Sequence, residues 1–186
     1  EANLFYVDAG NDKIGINENV PLGKLHVKTN DSSASVNPSA DELVLENSSS
    51  CGLSILSDTS AEGLICFGDS GANSIGKISY DHTTNRLAFI TNSSTALTID
   101  SSGRVLIGTT TEGEAGADDV TIATTGNTGI TIRSGTSNNG NIQFADGTSG
   151  VDEYRGFITY GHSDNILRFG TDGSERIRID SSLSIS

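Results

Sequence analysis

Two stretches of this chain are copies of one another, and internal repetition restricts the available folds more than any single motif does. Residues 51–70, CGLSILSDTSAEGLICFGDS, align without gaps on residues 128–147, TGITIRSGTSNNGNIQFADG, with nine of 20 positions identical. Residues 78–106 align on 158–186 with 12 of 29 positions identical. The scarce residues fall in register: Phe67 with Phe144, Tyr80 with Tyr160, His82 with His162 and Phe89 with Phe169. One unit therefore runs over residues 43–119 and the next over 120–186. Residues 1–42 hold the tail of an earlier unit and a polar linker, because Lys13-Ile14-Gly15-Ile16 echoes Arg104-Val105-Leu106-Ile107 and Leu25-His26-Val27 resembles the strand that opens a unit.

Within each unit the periodicity is that of strands. Ile78 and Tyr80, Leu87 and Phe89, Leu97 and Ile99, and Val105 and Ile107 alternate with smaller or polar residues, which gives each strand one apolar face. Between these runs stand DHTTN, GHSDN, TNSS, TDGS and DSSG, whose Asn, Asp, Ser and Gly supply turn conformations. No segment sustains apolar spacing of three and four. The expected fold is all-β, an elongated, repeat-built arrangement of short antiparallel strands with little or no helix. Only 34% of the residues are hydrophobic, with no Trp and no Met. That is thin for a self-sufficient core, and it suits a chain that completes its core with neighbouring copies.

The formal net charge of −13 opposes nucleic acid and anionic membrane surfaces as partners. No run approaches the ~20 apolar residues of a membrane-spanning helix, so no membrane insertion is expected. Cys51 and Cys66 are too few for a disulfide scaffold and lack metal-site spacing. The segment Gly103-Arg-Val-Leu-Ile-Gly108-Thr-Thr has the two glycines of a phosphate-binding loop, but a Thr replaces its Lys and a Gly-rich stretch replaces its helix. It reads as a turn closed by Gly103, followed by a strand whose Val105 and Ile107 enter the core. Asp8–Glu18 lacks the Gly and the final Glu of an EF-hand loop. No GxSxG is present. The expectation is a chain that is not an enzyme and carries no cofactor.

Two features stand out as candidate sites. His82 and His162, one per unit, are candidate axial ligands for a metal or anion if three copies meet on a threefold axis; the competing reading is that each packs on its Tyr neighbour or caps a hairpin. The second unit also has a loop three residues longer than its counterpart, and this loop carries Asp152, Glu153, Tyr154 and Arg155. An aromatic ring among carboxylates and a guanidinium on a loop is a candidate glycan contact. An ordinary hairpin extension is the alternative.

The stretches GKISYDHTTNRLAFITN (76–92), ALTIDSSGRVLIGT (96–109) and GFITYGHSDNILRFGTDGSERIRIDSS (156–182) resemble shaft repeats of bacteriophage tail fibres, of the marine and cyanobacterial phage type often followed by a self-cleaving chaperone domain. KIGINENVPLGKLHV (13–27) is similar to the linking segment of that family. The resemblance implies a homotrimer of interlaced chains, with Leu53, Ile55, Phe67, Ile78, Tyr80, Leu87, Phe89, Ile99 and Ile107 packed between three copies. Its partners would be two identical chains, other fibre proteins and a host cell-surface glycan, and its place would be the virion. The end SSLSIS departs from SSGRVLIG, and the sequence reads as a piece cut from a longer chain. Competing expectations are a bacterial surface adhesin or extracellular filament, and, with less support from the residues, a polysaccharide-degrading tailspike.

Overall fold

A computed structural model of the chain describes residues 4–182. Leu183 and Ser184, which stand where the preceding unit has Gly103 and Arg104, lie outside the described residues. The described chain is nearly all strand, with one short 3-10 helix at Gly150–Tyr154. It divides into two compact units, Glu1–Thr121 and Ile122–Ser186.

The first sheet has the order β1 (Phe5–Asp8), β2 (Lys13–Ile16), β3 (Leu25–Lys28) and β4 (Leu43–Glu46). It spans the 42/43 boundary drawn from the sequence, because β4 hydrogen-bonds to β3. The β1–β2 pair is antiparallel, whereas β2–β3 and β3–β4 are parallel. These parallel pairs are an exception in sheets otherwise rich in antiparallel pairs, as the sequence led one to expect. Residues 17–24 and 29–42 cross over the sheet and return the chain in the same direction, where a tight hairpin would have reversed it.

The second sheet has six strands. It runs β5 (Glu62–Phe67), β6 (Gly76–Asp81), β7 (Arg86–Thr91), β8 (Ser94–Ile99), β9 (Val105–Ile107) and β10 (Val120–Ile122). The third runs β11 (Asn139–Phe144), β12 (Gly156–Gly161), β13 (Ile166–Thr171) and β14 (Ser174–Ile179). Strands β5 to β8 and β11 to β14 share one pairing scheme. Ile65 faces Ile78 as Ile142 faces Ile158, and Ile78 faces Phe89 as Ile158 faces Phe169. A bulge follows Phe89 and another follows Phe169. The turns match too: Asn85 and Asn165 take φ of 50° and 53°, and the two-residue turns Asn92-Ser93 and Asp172-Gly173 all have positive φ. That conformation suits the twist of a tight hairpin.

The register places every alternating apolar residue on one side. Val7, Ile14, Leu25 and Leu43 form one row across the first sheet; Phe5, Ile16, Val27 and Leu45 form another. In the second sheet the rows are Ile65-Ile78-Phe89-Leu97-Ile107 and Gly63-Tyr80-Leu87-Ile99-Val105. In the third they are Ile142-Ile158-Phe169-Ile177 and Gly140-Tyr160-Leu167-Ile179.

These faces are open within the chain. Phe67 is 57% exposed and Phe144 60%, and Leu53, Ile55, Tyr80, Phe89 and Ile107 are exposed as well. Among the described residues the buried apolar side chains of the strands are Ala88 and Leu106, and both lie on the opposite face. Ile107, expected to pack between copies, lies on the open face, while Leu106 between Val105 and Ile107 is 1% exposed within the chain. Alternation correctly separated the two faces but did not show which one the single chain covers.

Candidate functional site

The sequence pointed to the histidines of the repeats, and the structure places them alike. His82 packs edge-on against Tyr80 with ring centroids 5.0 Å apart, and His162 packs against Tyr160 at the same distance. The Tyr80 hydroxyl reaches Asn85 Oδ1 at 3.3 Å, and the Tyr160 hydroxyl reaches Asn165 Oδ1 at 3.1 Å. The backbone N–H of His82 donates to the Ala61 carbonyl, and that of His162 to the Asn138 carbonyl. Each pair lines a shallow apolar cleft, with Ile55, Gly63 and Leu87 around Tyr80 and Ile132, Gly140 and Leu167 around Tyr160. Within the described residues neither His joins a cluster able to hold a metal.

The inserted loop of the second unit holds its own charges. Arg155 reaches Asp152 at 2.7 Å, Asp172 at 2.6 Å and Asp146 at 3.4 Å. These contacts raise the guanidinium's affinity for its proton, the Asp172 hydrogen bond most of all. The Asp152 carbonyl accepts the N–H groups of Asp146 and Gly147. Asp152 and Arg155 therefore brace the loop against the end of β11 and the β13–β14 turn. Glu153 and Tyr154 are the members of the candidate glycan-contact set left exposed.

Arg104, from the stretch with two glycines, is the anchor of the joint between β9 and β10. It reaches Asp100 and Asp118, each at 2.7 Å, and Glu112 at 3.8 Å. Gly103 has φ of 82° and donates its N–H to the Asp100 carbonyl, so it closes the turn before β9.

The most enclosed polar cluster was not foreseen. His26 on β3 is 0% exposed, and Glu18 and Glu46 are buried beside it. Candidate ligand atoms of the three lie within 4.8 Å of one another. Position explains the gathering. His26 and Glu46 stand on the non-apolar face of the first sheet, and residues 17–24 fold over that face. Gly15, opposite His26, permits the close approach: a Cβ there would lie 1.9 Å from the Glu18 carbonyl oxygen. Glu18 pairs with Lys28 and accepts the Val20 N–H at 2.6 Å. Glu46 Oε1 accepts the Ser32 N–H at 2.7 Å and the Ser32 hydroxyl at 2.8 Å. The Ser32 N–H, then its hydroxyl, hold the Glu46 carboxyl below the usual range against the opposing effect of burial, with His26 and Lys28 assisting.

This donor set does not fit a cation. Leu22 N–H donates to His26 Nδ1 at 3.2 Å, so the proton of the neutral ring resides on Nε2. Nε2 lies 3.0 Å from Glu46 Oε2 but off the N–H axis, making the contact electrostatic and not a directed hydrogen bond. A metal would need the Nε2 lone pair and a proton on Nδ1, where the Leu22 N–H already points. The second joint supports a bonding role for His26. There Thr121 Oγ1 accepts the Gly113 N–H at 3.0 Å, as His26 accepts that of Leu22. Sequence alone offered one clue to the cluster, the mismatch of His26 with Thr121 when β3 is set against β10.

No protein-family model matches the chain, and no curated protein matches it in sequence. The geometry of the open faces and of the buried cluster therefore bears the functional argument.

Proposed function

We propose that this chain is a structural segment of a trimeric viral tail fibre, spacing a receptor-binding end from the virion. The observation that carries the reading is the uncovered apolar face on all three sheets. The chain exposes 13179 Å². Two separate compact domains of these sizes would together expose about 10,000 Å². The excess of roughly 3,000 Å² exceeds the ~800 Å² that each partner commonly contributes to a stable interface. Contiguous exposed apolar faces mark surfaces that another molecule covers. Three identical copies supply a cover with the same repeat length, and the acidic Ser/Thr-rich remainder keeps the assembly soluble. The repeated wording of the two units, similar to tail-fibre shafts, supports a rod over a compact enzyme.

A bacterial adhesin or extracellular filament shares the same physical requirements. The deciding experiment is the mass of the purified chain in solution together with electron microscopy of particles labelled with an antibody to it. A mass of three chains and label on virion tails are expected. A clean monomer, or label on cell-surface filaments, would overturn the reading.

A further inference from the structure

Each unit contains an extended segment with no hydrogen-bonded partner. Among the described residues, no backbone N–H or C=O of residues 51–57 pairs with any group in the chain, and the same holds for 128–134. Both alternate: Leu53 and Ile55 in the first, Ile130 and Ile132 in the second. All four are exposed, as is Leu56 at 91%. Each segment touches its own sheet at a glycine, since Ile55 Cγ2 would lie 3.6 Å from a Cβ at Gly63 and Ile132 Cγ2 3.4 Å from one at Gly140. β5 and β11 are edge strands, bonded on one side only to β6 and β12.

An unpaired strand and an unpaired edge of matching length, found twice with the same geometry, are complementary. Free edges are usually blunted by charge or Pro, because they invite pairing with other chains. Here the protection is slight. Residues 51–57 carry no charge, 128–134 carry only Arg133, β5 carries only Glu62 and β11 none. In a chain of net charge −13 these are the places where copies approach with least repulsion.

We propose that residues 51–57 and 128–134 are exchanged strands that add to the outer edges of β5 and β11, respectively, in a neighbouring copy. Each copy then donates and accepts one strand per unit. This head-to-tail contact closes into a ring when the rotation permits. Main-chain bonds supply the attachment, as in other strand additions, and Leu53, Ile55, Ile130 and Ile132 carry their side chains into the shared apolar interior. The proposal rests on the assembly of copies proposed above, and it names the element by which they interlace.

Hydrogen exchange on the purified full chain tests it, alongside its mass in solution. In the assembled form, amides of 51–57 and 128–134 and the outward amides of β5 and β11 should exchange at least about tenfold more slowly than those of an unstructured chain. Ser54→Pro with Thr131→Pro removes one N–H from each segment without breaking a bond inside the chain. That double variant should keep its strand signature by circular dichroism yet fall to lower mass at concentrations where the parent and the matching Ala variant stay assembled. If the chain assembles while both segments exchange freely, or if the Pro variant assembles as the parent does, strand exchange is overturned and the trimer stands. A monomeric parent overturns both.

Discussion

Two joints, one between β2 and β3 and one between β9 and β10, solve the same problem with different chemistry. In the first, β2 passes through residues 17–24 to β3; in the second, β9 passes through 108–119 to β10. Ile14 N–H donates to the Lys24 carbonyl, as Val105 N–H donates to that of Asp119. Lys13 and Arg104 take equivalent places. Lys13 binds the carbonyls of Pro21 and Leu22, and Arg104 binds carboxylates. At the next-but-one position the first joint has Gly15 and the second Leu106. The shorter loop lies so close over Gly15 that no side chain fits, and the space beside it is filled by Glu18, His26, Lys28 and Glu46. The longer loop goes with a buried Leu106. A joint in this fold thus needs a filled non-apolar face and an acceptor for one loop N–H. A polar cluster and a Leu with a Thr both meet that need.

The largest test is at the second joint. Leu106→Ala should cost about 2–5 kcal/mol, as other buried leucines do when truncated. Urea unfolding followed by circular dichroism would measure it. A loss below ~1 kcal/mol would mean that Leu106 is not the filler the comparison requires.

The next test exchanges the acceptors. His26→Leu leaves the Leu22 N–H unsatisfied and should cost about 1–3 kcal/mol. His26→Thr introduces the acceptor type of the second joint and should retain part of that loss. Equal damage from Leu and Thr would show that ring volume, and not the bond to Leu22, is what His26 contributes.

The smallest effect is in acid. Glu46 has a lower pKa folded than unfolded, so its contribution is full above the ordinary carboxylate value. That contribution is lost as the pH falls through the lowered, folded value. Ser32→Ala removes the hydroxyl donor and keeps the N–H, which brings the folded pKa closer to the unfolded one. Thermal midpoints between about pH 5 and pH 3 should therefore fall less steeply in the variant than in the parent. Identical slopes would remove Glu46 from the acid response.

Alternation and turn chemistry read from the sequence match the strands around Ile78–Tyr80 and Leu87–Phe89 and the turns at Asn85 and Asn165, because both signals are local. The 77- and 80-residue offsets carry through to the ladders, since a strand's register follows its apolar pattern. Parallel pairing of β3 was not legible, because it depends on where the crossing loop returns the strand and not on the residues within it. The same is true of His26: on a strand read as Leu-His-Val it looks like a residue facing solvent, and only the loop folded over Gly15 encloses it.

By itself, the amino-acid order determined that this chain makes short strands with one apolar face each, twice over, since side-chain period and turn propensity act within a few residues. Tertiary structure decided which faces are covered. It closed the face holding Leu106 and His26 and left open the rows through Phe89 and Phe169, because burial depends on what loops and distant strands bring alongside.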